Sequence, residues 1–326
     1  MEALHSGQGE LFQKPDPDAH RAYLRDHRAR SVVSKIMTEQ EAVSKFVSDG
    51  DYICYDCNYF MRGPASLVRE IIRQRKKKLG IGARFTYMEV ILLAGAGCLD
   101  RVDVGYMGVG RILTKMIEDG VRVTEWSNSA LTMRQLAGSL GVPFIPIRFL
   151  GGTDAYKNSG AMTVKDPFTG KETVLVPALN PDVSLIHAHQ CDVYGNARIF
   201  GTSVSPVETA AAGKKVIVSA EEIIDSEYIR RDPGLTTIPY YLVDAVVHAP
   251  YGGLPGEVAG MYASDTEGVI EALQAGIEPT GEALKKYLEK HVYGVANHQE
   301  YLQKVIGLPK LLQLKDRARI TEGYHA

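Results

Sequence analysis

The stretch "DYICYDCNYFMRGPASL", residues 51–67, contains the pattern that decides the fold. Its first five residues form an apolar run typical of a buried strand, and a helical pattern begins just after Pro64. Asp56, Cys57 and Asn58 follow the strand directly. In open α/β sheets, ligands bind outside the carboxyl ends of the strands. The sequence therefore predicts that this strand end forms part of a functional site.

Similar patterns alternate along the chain. Short runs rich in Val and Ile, bounded by Gly, Pro or Asp, are separated by helical patterns such as "ALTMRQLAGSLG" (residues 130–141). This alternation predicts an α/β fold with an open, mostly parallel sheet and crossover helices. Residues 266–314 are expected to form amphipathic helices that pack over the sheet. The further candidate strands are residues 102–108, 121–127, 142–153, 181–196, 214–223 and 241–253.

The chain is predicted to have two parts, a short N-terminal extension and a large domain. Residues 1–34 are polar and charged, and Pro15 and Pro17 are expected to break any helix there. We expect this N-terminal extension to pack on a neighbour or to be mobile. Residues 35–326 are predicted to form a single α/β domain with a helical C-terminal part, since no repeat, low-complexity tract or Gly/Ser linker divides them.

Composition favours a small-molecule function. Of the 326 residues 45% are hydrophobic, and 37 Lys and Arg against 39 Asp and Glu give a net charge of -2. This balance predicts neither a nucleic acid nor a membrane as partner. The N-terminal residues contain no apolar signal-peptide core, and no later apolar run is long enough to span a bilayer. We therefore expect a cytoplasmic protein whose four cysteines are reduced.

Two groups of residues resemble metal or redox motifs. His187, His189 and Cys191 alternate, so on a strand they would project to one face. Neighbouring residues of one straight strand lie too far apart to share one ion, so hydrogen-bonded histidines and no metal site are predicted. Cys54 and Cys57 form a lone C-x-x-C pair whose members should point to opposite faces. Cys57 alone, at the strand end, is a candidate functional thiol.

Two glycine turns follow candidate strands, at residues 151–153 and 251–253. Glycine permits close backbone approach and free N–H groups, which suit a thioester oxygen or a phosphate, although an ordinary tight turn explains them equally well. No phosphate-binding loop and no dinucleotide fingerprint is present in the sequence. The candidate binding residues of the first turn are Gly151, Gly152 and Thr153.

Four blocks together resemble the α subunit of class I CoA-transferases, in a form similar to that of glutaconate CoA-transferase. The blocks are residues 48–53, 186–201, 219–233 and 243–262. The resemblance covers about residues 35–315 and implies an open α/β fold whose α and β subunits pair, with an α2β2 assembly expected. It also implies that acyl-CoA and a carboxylic acid, including a dicarboxylic acid, are the substrates. A coenzyme A thioester is then a substrate, and no cofactor is bound permanently.

The resemblance also implies where the chemistry takes place. In this family a glutamate on the β subunit is the nucleophile toward the acyl-CoA thioester, giving a mixed anhydride and then an enzyme-bound CoA thioester, while N–H donors stabilise each oxyanion. Under this interpretation no catalytic residue lies in the present chain, and the chain alone is inactive. It is active only with a β subunit.

The sequence departs from the family where the acyl group should bind. In the resembling subunits the first strand runs into Gly-Gly-Phe, followed by Arg and Pro. Here Arg62 and Pro64 keep the later positions, but Asp56, Cys57 and Asn58 replace the earlier ones. The pocket is therefore predicted to be smaller and more polar. The candidate substrate-binding residues are Asn58, Tyr59, Arg62, Tyr87, Ser127, Asn128 and Ser129, the last three being equally explained as helix N-capping.

These departures leave two other functions open. Hydrolases and decarboxylases of CoA thioesters use the same scaffold, and then Asp56, Cys57 or a buried Glu89 would act as acid or base. A sugar-phosphate-sensing regulatory module is a third hypothesis, although the N-terminal segment shows no DNA-binding helix pair. On the sequence alone, replacing Asp56 or Asn58 by Ala is expected to impair turnover far more than folding.

Overall fold

The computed structural model describes residues 2–28, 30–85, 88–106 and 110–319. Strands and helices alternate through most of this part of the chain. The strands are β1 (Ala3–Ser6), β2 (Ile36–Met37), β3 (Tyr52–Asp56), β4 (Leu79–Ala83), β5 (Leu99–Val104), β6 (Arg122–Glu125), β7 (Phe144–Ile147), β8 (Met162–Lys165), β9 (Glu172–Pro177), β10 (Val183–Cys191), β11 (Ala197–Arg198), β12 (Lys215–Ile223) and β13 (Ala245–His248).

The helices cover both faces of the larger sheet and form the C-terminal part. They are α1 (Pro17–His27), α2 (Glu39–Phe46), α3 (Ala65–Arg73), α4 (Met88–Gly95), α5 (Gly110–Glu118), α6 (Asn128–Leu140), α7 (Asp154–Lys157), α8 (Pro206–Ala212), α9 (Ser226–Arg231), α10 (Thr266–Ile277), α11 (Glu282–Leu288), α12 (His298–Glu300) and α13 (Leu308–Arg317). Residues 266–314 are mostly helical, as predicted. None of the described helices is long and apolar enough to cross a membrane.

The larger sheet has the strand order β2-β13-β12-β10-β3-β4-β5-β6, with every neighbouring pair parallel. The short β11 pairs antiparallel with β10. Strand β3 is buried along its whole length, since helices pack on both faces of the sheet. The predicted α/β fold with an open, mostly parallel sheet is confirmed.

A second, smaller sheet is antiparallel, in the order β1-β8-β9-β7. Residues 142–153 were expected to add a strand to the mostly parallel sheet, but β7 pairs antiparallel with β9 instead. The long helix α6 carries the chain away from the edge strand β6 before β7 begins. Pro146 lies inside β7, and an edge strand tolerates proline because one side of it needs no N–H donor.

The N-terminal residues contain regular structure. Strand β1 forms an edge of the smaller sheet, and helix α1 begins at Pro17. The expectation that Pro15 and Pro17 would break any helix here was wrong, because proline is well tolerated at the first helical position. The side chain of Asp16 caps α1 by accepting a hydrogen bond from Ala19 N at 2.9 Å. Whether residues 1–34 form a separate unit stays a prediction.

The parallel sheet places its loops so that a site can form. Helix α2 begins after Thr38, whose side chain and Glu41 form a reciprocal capping box. Helix α3 buries seven of its nine residues, from Ser66 to Ile72, against the sheet and the C-terminal helices. Because the strands of the larger sheet's main path all run the same way, the loops after β3, β4, β6 and β13 meet at one edge.

Candidate active site at the carboxyl edge of the sheet

Hydrogen bonds tie together the loops that follow three strands. The backbone N–H of Tyr59, after β3, donates to the carbonyl of Phe85, after β4, at 3.1 Å. The N–H of Phe85 in turn donates to Oδ1 of Asn128, after β6, at 3.1 Å. The structure therefore brings together two of the residues that the sequence singled out, Tyr59 and Asn128.

Asp56 is fully buried at the end of β3 and has both carboxylate oxygens engaged. Its Oδ2 pairs with the guanidinium of Arg62. Its Oδ1 accepts from Ser205 N at 3.0 Å and faces Nη2 of Arg84 at 3.4 Å. Arg62 also donates to the carbonyl of His187 at 2.7 Å. Asp56 thus holds the loops after β3 and β4 and the start of α8 in place.

Arg84 belongs to this cluster, and the sequence analysis missed it. It is 1% exposed and donates to the hydroxyls of Thr132 at 3.2 Å and Thr209 at 3.0 Å. A usable signal was present, because Arg84 follows β4 much as Asp56 ends β3. Opposite charges at the ends of neighbouring parallel strands are placed to form an ion pair.

Cys57 is buried between the loops and packs in the main core cluster. Its thiol points at the carbonyls of Arg84 and Phe85, at 4.0 and 3.8 Å. Burial raises the pKa of the Cys57 thiol well above its usual value, and the nearby carboxylates raise it further. The thiol is therefore protonated at neutral pH. Cys54 packs in a different cluster, with Tyr52, so the two cysteines point to opposite faces as predicted.

Four non-glycine residues at this edge have positive backbone φ angles. They are Tyr59 at 62°, Arg62 at 57°, Phe85 at 42° and Tyr251 at 55°. Bulky residues adopt this conformation only when the surrounding structure enforces it, and such residues cluster at functional sites. The ion pair of Arg62 and the backbone hydrogen bond of Tyr59 supply that constraint here.

Glu89 lies in the first turn of α4 and is 7% exposed. Burial raises the pKa of its carboxyl from 4.5 to about 7, although the charge of Arg69 partly offsets this. Within the described residues its Oε2 has no hydrogen-bonding partner. Gly63 approaches Glu89 so closely that a Cβ at position 63 would overlap Oε1. Glu89 therefore occupies a buried position that allows it to hold or release a proton near neutral pH.

The candidate residues before α6 have separate roles. Ser127 caps the helix by accepting from Ala130 N at 3.0 Å, which favours the N-capping interpretation for this residue. Asn128 orders the Phe85 loop, as described above. Ser129 is exposed. Tyr87, also a candidate binding residue, lies outside the described residues.

The two glycine turns do not offer free N–H groups to this site. Residues 151–153 are exposed, and Thr153 caps the short helix α7 beside the smaller sheet. In the other turn, the N–H groups of Tyr251 and Gly252 donate to Glu221 at 2.6 and 3.2 Å. The N–H of Gly253 donates to the hydroxyl of Tyr262 at 3.0 Å. The tight-turn interpretation fits both segments.

His187 lies in a buried polar cluster. Its Nδ1 lies 2.8 Å from Oγ of Ser219 and its Nε2 lies 2.7 Å from Oε1 of Glu221. Glu221 also accepts from the hydroxyl of Tyr262 at 2.6 Å. His187 and Ser219 are fully buried, so this cluster anchors the 251–253 turn to the sheet and does not form an accessible triad.

The expected common face of His187, His189 and Cys191 was wrong for the cysteine. Cys191 packs in the cluster of Ile186 and Ala188, which line the opposite face of β10 from His187. Cys191 is the last residue of β10 and lies opposite Ile223, in the same register with β12 as the residues before His189, so the difference arises at the strand end without a register shift. In the described parts of the chain no group of three His, Cys, Asp or Glu could hold a metal ion.

Comparison with known proteins identifies the family. The family model described as coenzyme A transferase matches residues 36–249. The A-type subunit of glutaconate CoA-transferase from Acidaminococcus fermentans is 32% identical over 318 residues, which cover 90% of this chain and 98% of that protein. The A-type subunit of 3-oxoadipate CoA-transferase from Pseudomonas knackmussii is 30% identical, and the match covers 84% of this chain and 99% of that protein.

Solved structures with a similar fold support the same family. The crystal structure of glutaconate CoA-transferase from Acidaminococcus fermentans superposes with a TM-score of 0.83, at 30% identity, over 89% of this chain and 97% of that chain. A variant of the decarboxylase AibA/AibB superposes with a TM-score of 0.68, at 28% identity, over 79% and 98%. The chain therefore belongs to the coenzyme A transferase family. Within it, the predicted similarity to the α subunit of glutaconate CoA-transferase is confirmed.

Proposed function

We propose that the chain is the pocket-forming subunit of a heteromeric CoA-transferase that moves CoA between an acyl-CoA and a carboxylic acid. A glutamate of a β-type partner subunit is the group that becomes acylated. The similarity to the A-type subunits of two CoA-transferases, over 84% or more of this chain, supports the proposal.

One observation supports the proposal that the attacking group lies on the partner subunit. The three candidate acid, base or nucleophilic groups at the carboxyl edge are all unsuited to attack a thioester. Asp56 has both oxygens bonded to cations and a backbone N–H, and Cys57 is a buried, protonated thiol. Glu89 is buried, and the rise in its pKa keeps about half of it neutral near pH 7. The attacking carboxylate must therefore come from elsewhere.

The chain contributes the shape and polarity of the pocket wall. Asn58 is half-buried and Tyr59 is 36% exposed, both in the loop held by Asp56 and Arg62. We place these side chains at the edge where a thioester would lie, so that they restrict the acyl group that enters. A dicarboxylic acid is the proposed acyl class, because glutaconate and 3-oxoadipate, which give both relatives their names, are dicarboxylates. The α2β2 stoichiometry and the cytoplasmic location stay predictions.

A second candidate function is favoured by Glu89. The transfer of CoA between carboxylates needs no net proton transfer, whereas hydrolysis or decarboxylation of a CoA thioester does. A buried carboxyl whose pKa is about 7 is suited to general acid or base catalysis near neutral pH. The similarity to the decarboxylase AibA/AibB agrees with this alternative.

The products of the assembled enzyme discriminate between the two functions. The chain, purified with its partner, is incubated with an acyl-CoA panel and free dicarboxylic acids, and the products are separated by mass spectrometry. A new acyl-CoA and a CoA thioester on the partner support the transferase. Free CoA or carbon dioxide without a protein-bound thioester supports the alternative. If neither set of products forms, both candidate functions are contradicted.

A further inference from the structure

Arg69 is a buried cation that no described carboxylate neutralises through a direct ion pair. It projects from α3, is 4% exposed, and donates to the carbonyl of Leu254 at 2.8 Å. Its Nη2 lies 3.2 Å from Nδ1 of His298, whose Nε2 donates to Pro250 O at 2.7 Å. The guanidinium also stacks 3.9 Å from the ring centre of Tyr301. These contacts fix its orientation but leave Nε without a partner among the described residues.

A small cavity joins Arg69 to Glu89. Both side chains line it, together with apolar and glycine residues of α3, α4 and the 253–256 turn. The space open to the centre of a water molecule is about 20 Å³. About 10–15 Å³ of such space is enough to hold one water. The other lining residues are Tyr59, Phe60, Ala65, Val68, Met88, Leu92, Gly253, Pro255 and Gly256.

The two orphaned polar atoms are complementary. Arg69 Nε–H is a donor without an acceptor, and Glu89 Oε2 is an acceptor without a donor, within the described residues. A buried polar atom without a partner is unfavourable, because it has lost its hydrogen bonds to water without replacing them. One water that accepts from Arg69 and donates to Glu89 satisfies both, and ordered internal waters use such pairs of sites.

We propose that this cavity is a binding site for a single water molecule held between Glu89 and Arg69. Arg69 orients the water by donating a hydrogen bond to the water oxygen, and Glu89 accepts a hydrogen bond from the water. The cavity is lined by Tyr59 of the strained loop at the carboxyl edge of the sheet. Among the described residues, the ionisable side chains that line the cavity are Arg69, Glu89 and Tyr59. The Cys57 thiol does not line it, but the charge of Glu89 raises the pKa of that thiol.

The site gives the second candidate function a specific nucleophile, and this consequence rests on that function. The water oxygen forms a bond to the thioester carbon while Glu89 takes the released proton. The C–S bond then breaks, the CoA thiolate leaves, and it takes up the proton from Glu89. A transferase whose partner carries the attacking carboxylate does not need this water for CoA transfer.

High-resolution crystal structures of the full chain test the site independently of any activity. The wild type is expected to show one water within hydrogen-bond distance of Glu89 and Arg69. Ala65→Val adds two methyl groups to the cavity wall and is expected to expel it. If Ala65→Val does not fold, Val68→Ile supplies a second filling variant. Absence of the water from wild-type crystals that resolve other buried waters would overturn the proposal.

Arginine substitutions supply the matched comparison. Arg69→Met is expected to remove or displace the water, because the donor that orients it is lost. Arg73→Met, on the same helix but outside the cavity, is expected to leave it in place. A water that stays unmoved in Arg69→Met contradicts the assigned geometry. Free-CoA release by the assembled enzyme is measured separately, so a water without hydrolysis refutes the second candidate function and not the site.

Discussion

At the scale of single residues, Asp56 shows how the structure changes an expectation. The sequence favoured a larger effect of its loss on turnover than on folding. The structure shows a fully buried carboxylate that pairs with Arg62 and Arg84, which are themselves buried. Removing one partner of a buried ion pair leaves uncompensated charge and costs about 3–5 kcal/mol.

We therefore expect Asp56→Ala to lower the free energy of unfolding by about 3–5 kcal/mol, measured by urea denaturation. The matched control is Asp154→Ala, whose pair with Lys157 is mostly exposed. Exposed pairs contribute about 0–1 kcal/mol, so the control is expected to unfold close to the wild-type midpoint. Equal midpoints for Asp56→Ala and wild type would contradict the structural role.

Glu89 predicts a pH dependence of stability. Its pKa is about 7 in the folded chain and near 4.5 when unfolded, so between these values the folded state binds more protons. Its contribution to stability is then fully present below about pH 4.5 and falls as the pH rises to about 7, by roughly 3 kcal/mol. Glu89→Gln lacks this dependence.

The test compares wild type and Glu89→Gln in urea denaturation at several pH values. The glutamine variant is expected to gain stability relative to wild type as the pH rises from about 4.5 to about 8. A constant difference across this range would show that the Glu89 carboxyl keeps an ordinary pKa.

The sequence could place Asp56, Asn58 and Asn128 at one edge, because the ends of parallel strands meet there. The position of Arg84 directly after β4 was a usable signal that the sequence analysis missed, but the sequence could not give Arg69 as a partner of this site. Arg69 lies in an amphipathic helix, and its contacts come from the C-terminal part, far along the chain. Such long-range partners depend on tertiary packing, which local patterns do not encode.

At the scale of elements, the attachment of β1 depends on a close backbone approach at Gly7. The N–H of Gly7 donates to Ala161 O at 2.9 Å, and a Cβ there would overlap Ser159 O. Gly7→Val is expected to detach β1 from β8. Hydrogen exchange measures this as faster exchange of the Met162–Lys165 amides.

Strand β3 provides the internal control, since it is buried in the other sheet and its exchange is expected to stay slow. Unchanged exchange in β8 would contradict the role of Gly7. The smaller sheet is also where sequence prediction failed. The pattern of β7 identified a strand, but apolar runs do not specify the partner strand or its direction.

At the scale of the whole molecule, the proposed function requires a second subunit. The open parallel sheet followed from the alternation of strand and helix patterns, and the family and the similarity to A-type subunits followed from four sequence blocks. The comparisons confirm the fold and the family. The sequence difference at residues 56–58 did not indicate that both carboxylate oxygens of Asp56 would be engaged in ion pairs. Because Asp56, Cys57 and Glu89 at this edge are buried, the chain is expected to transfer no CoA by itself.

Intact-protein mass spectrometry tests this most directly. The chain alone, the chain with its partner, and the partner alone are mixed with acyl-CoA, and covalent CoA is sought on each protein. We predict a CoA thioester on the partner only, formed only when both proteins are present. A CoA adduct on the present chain, or CoA transfer by the chain alone, would contradict the proposed division of labour.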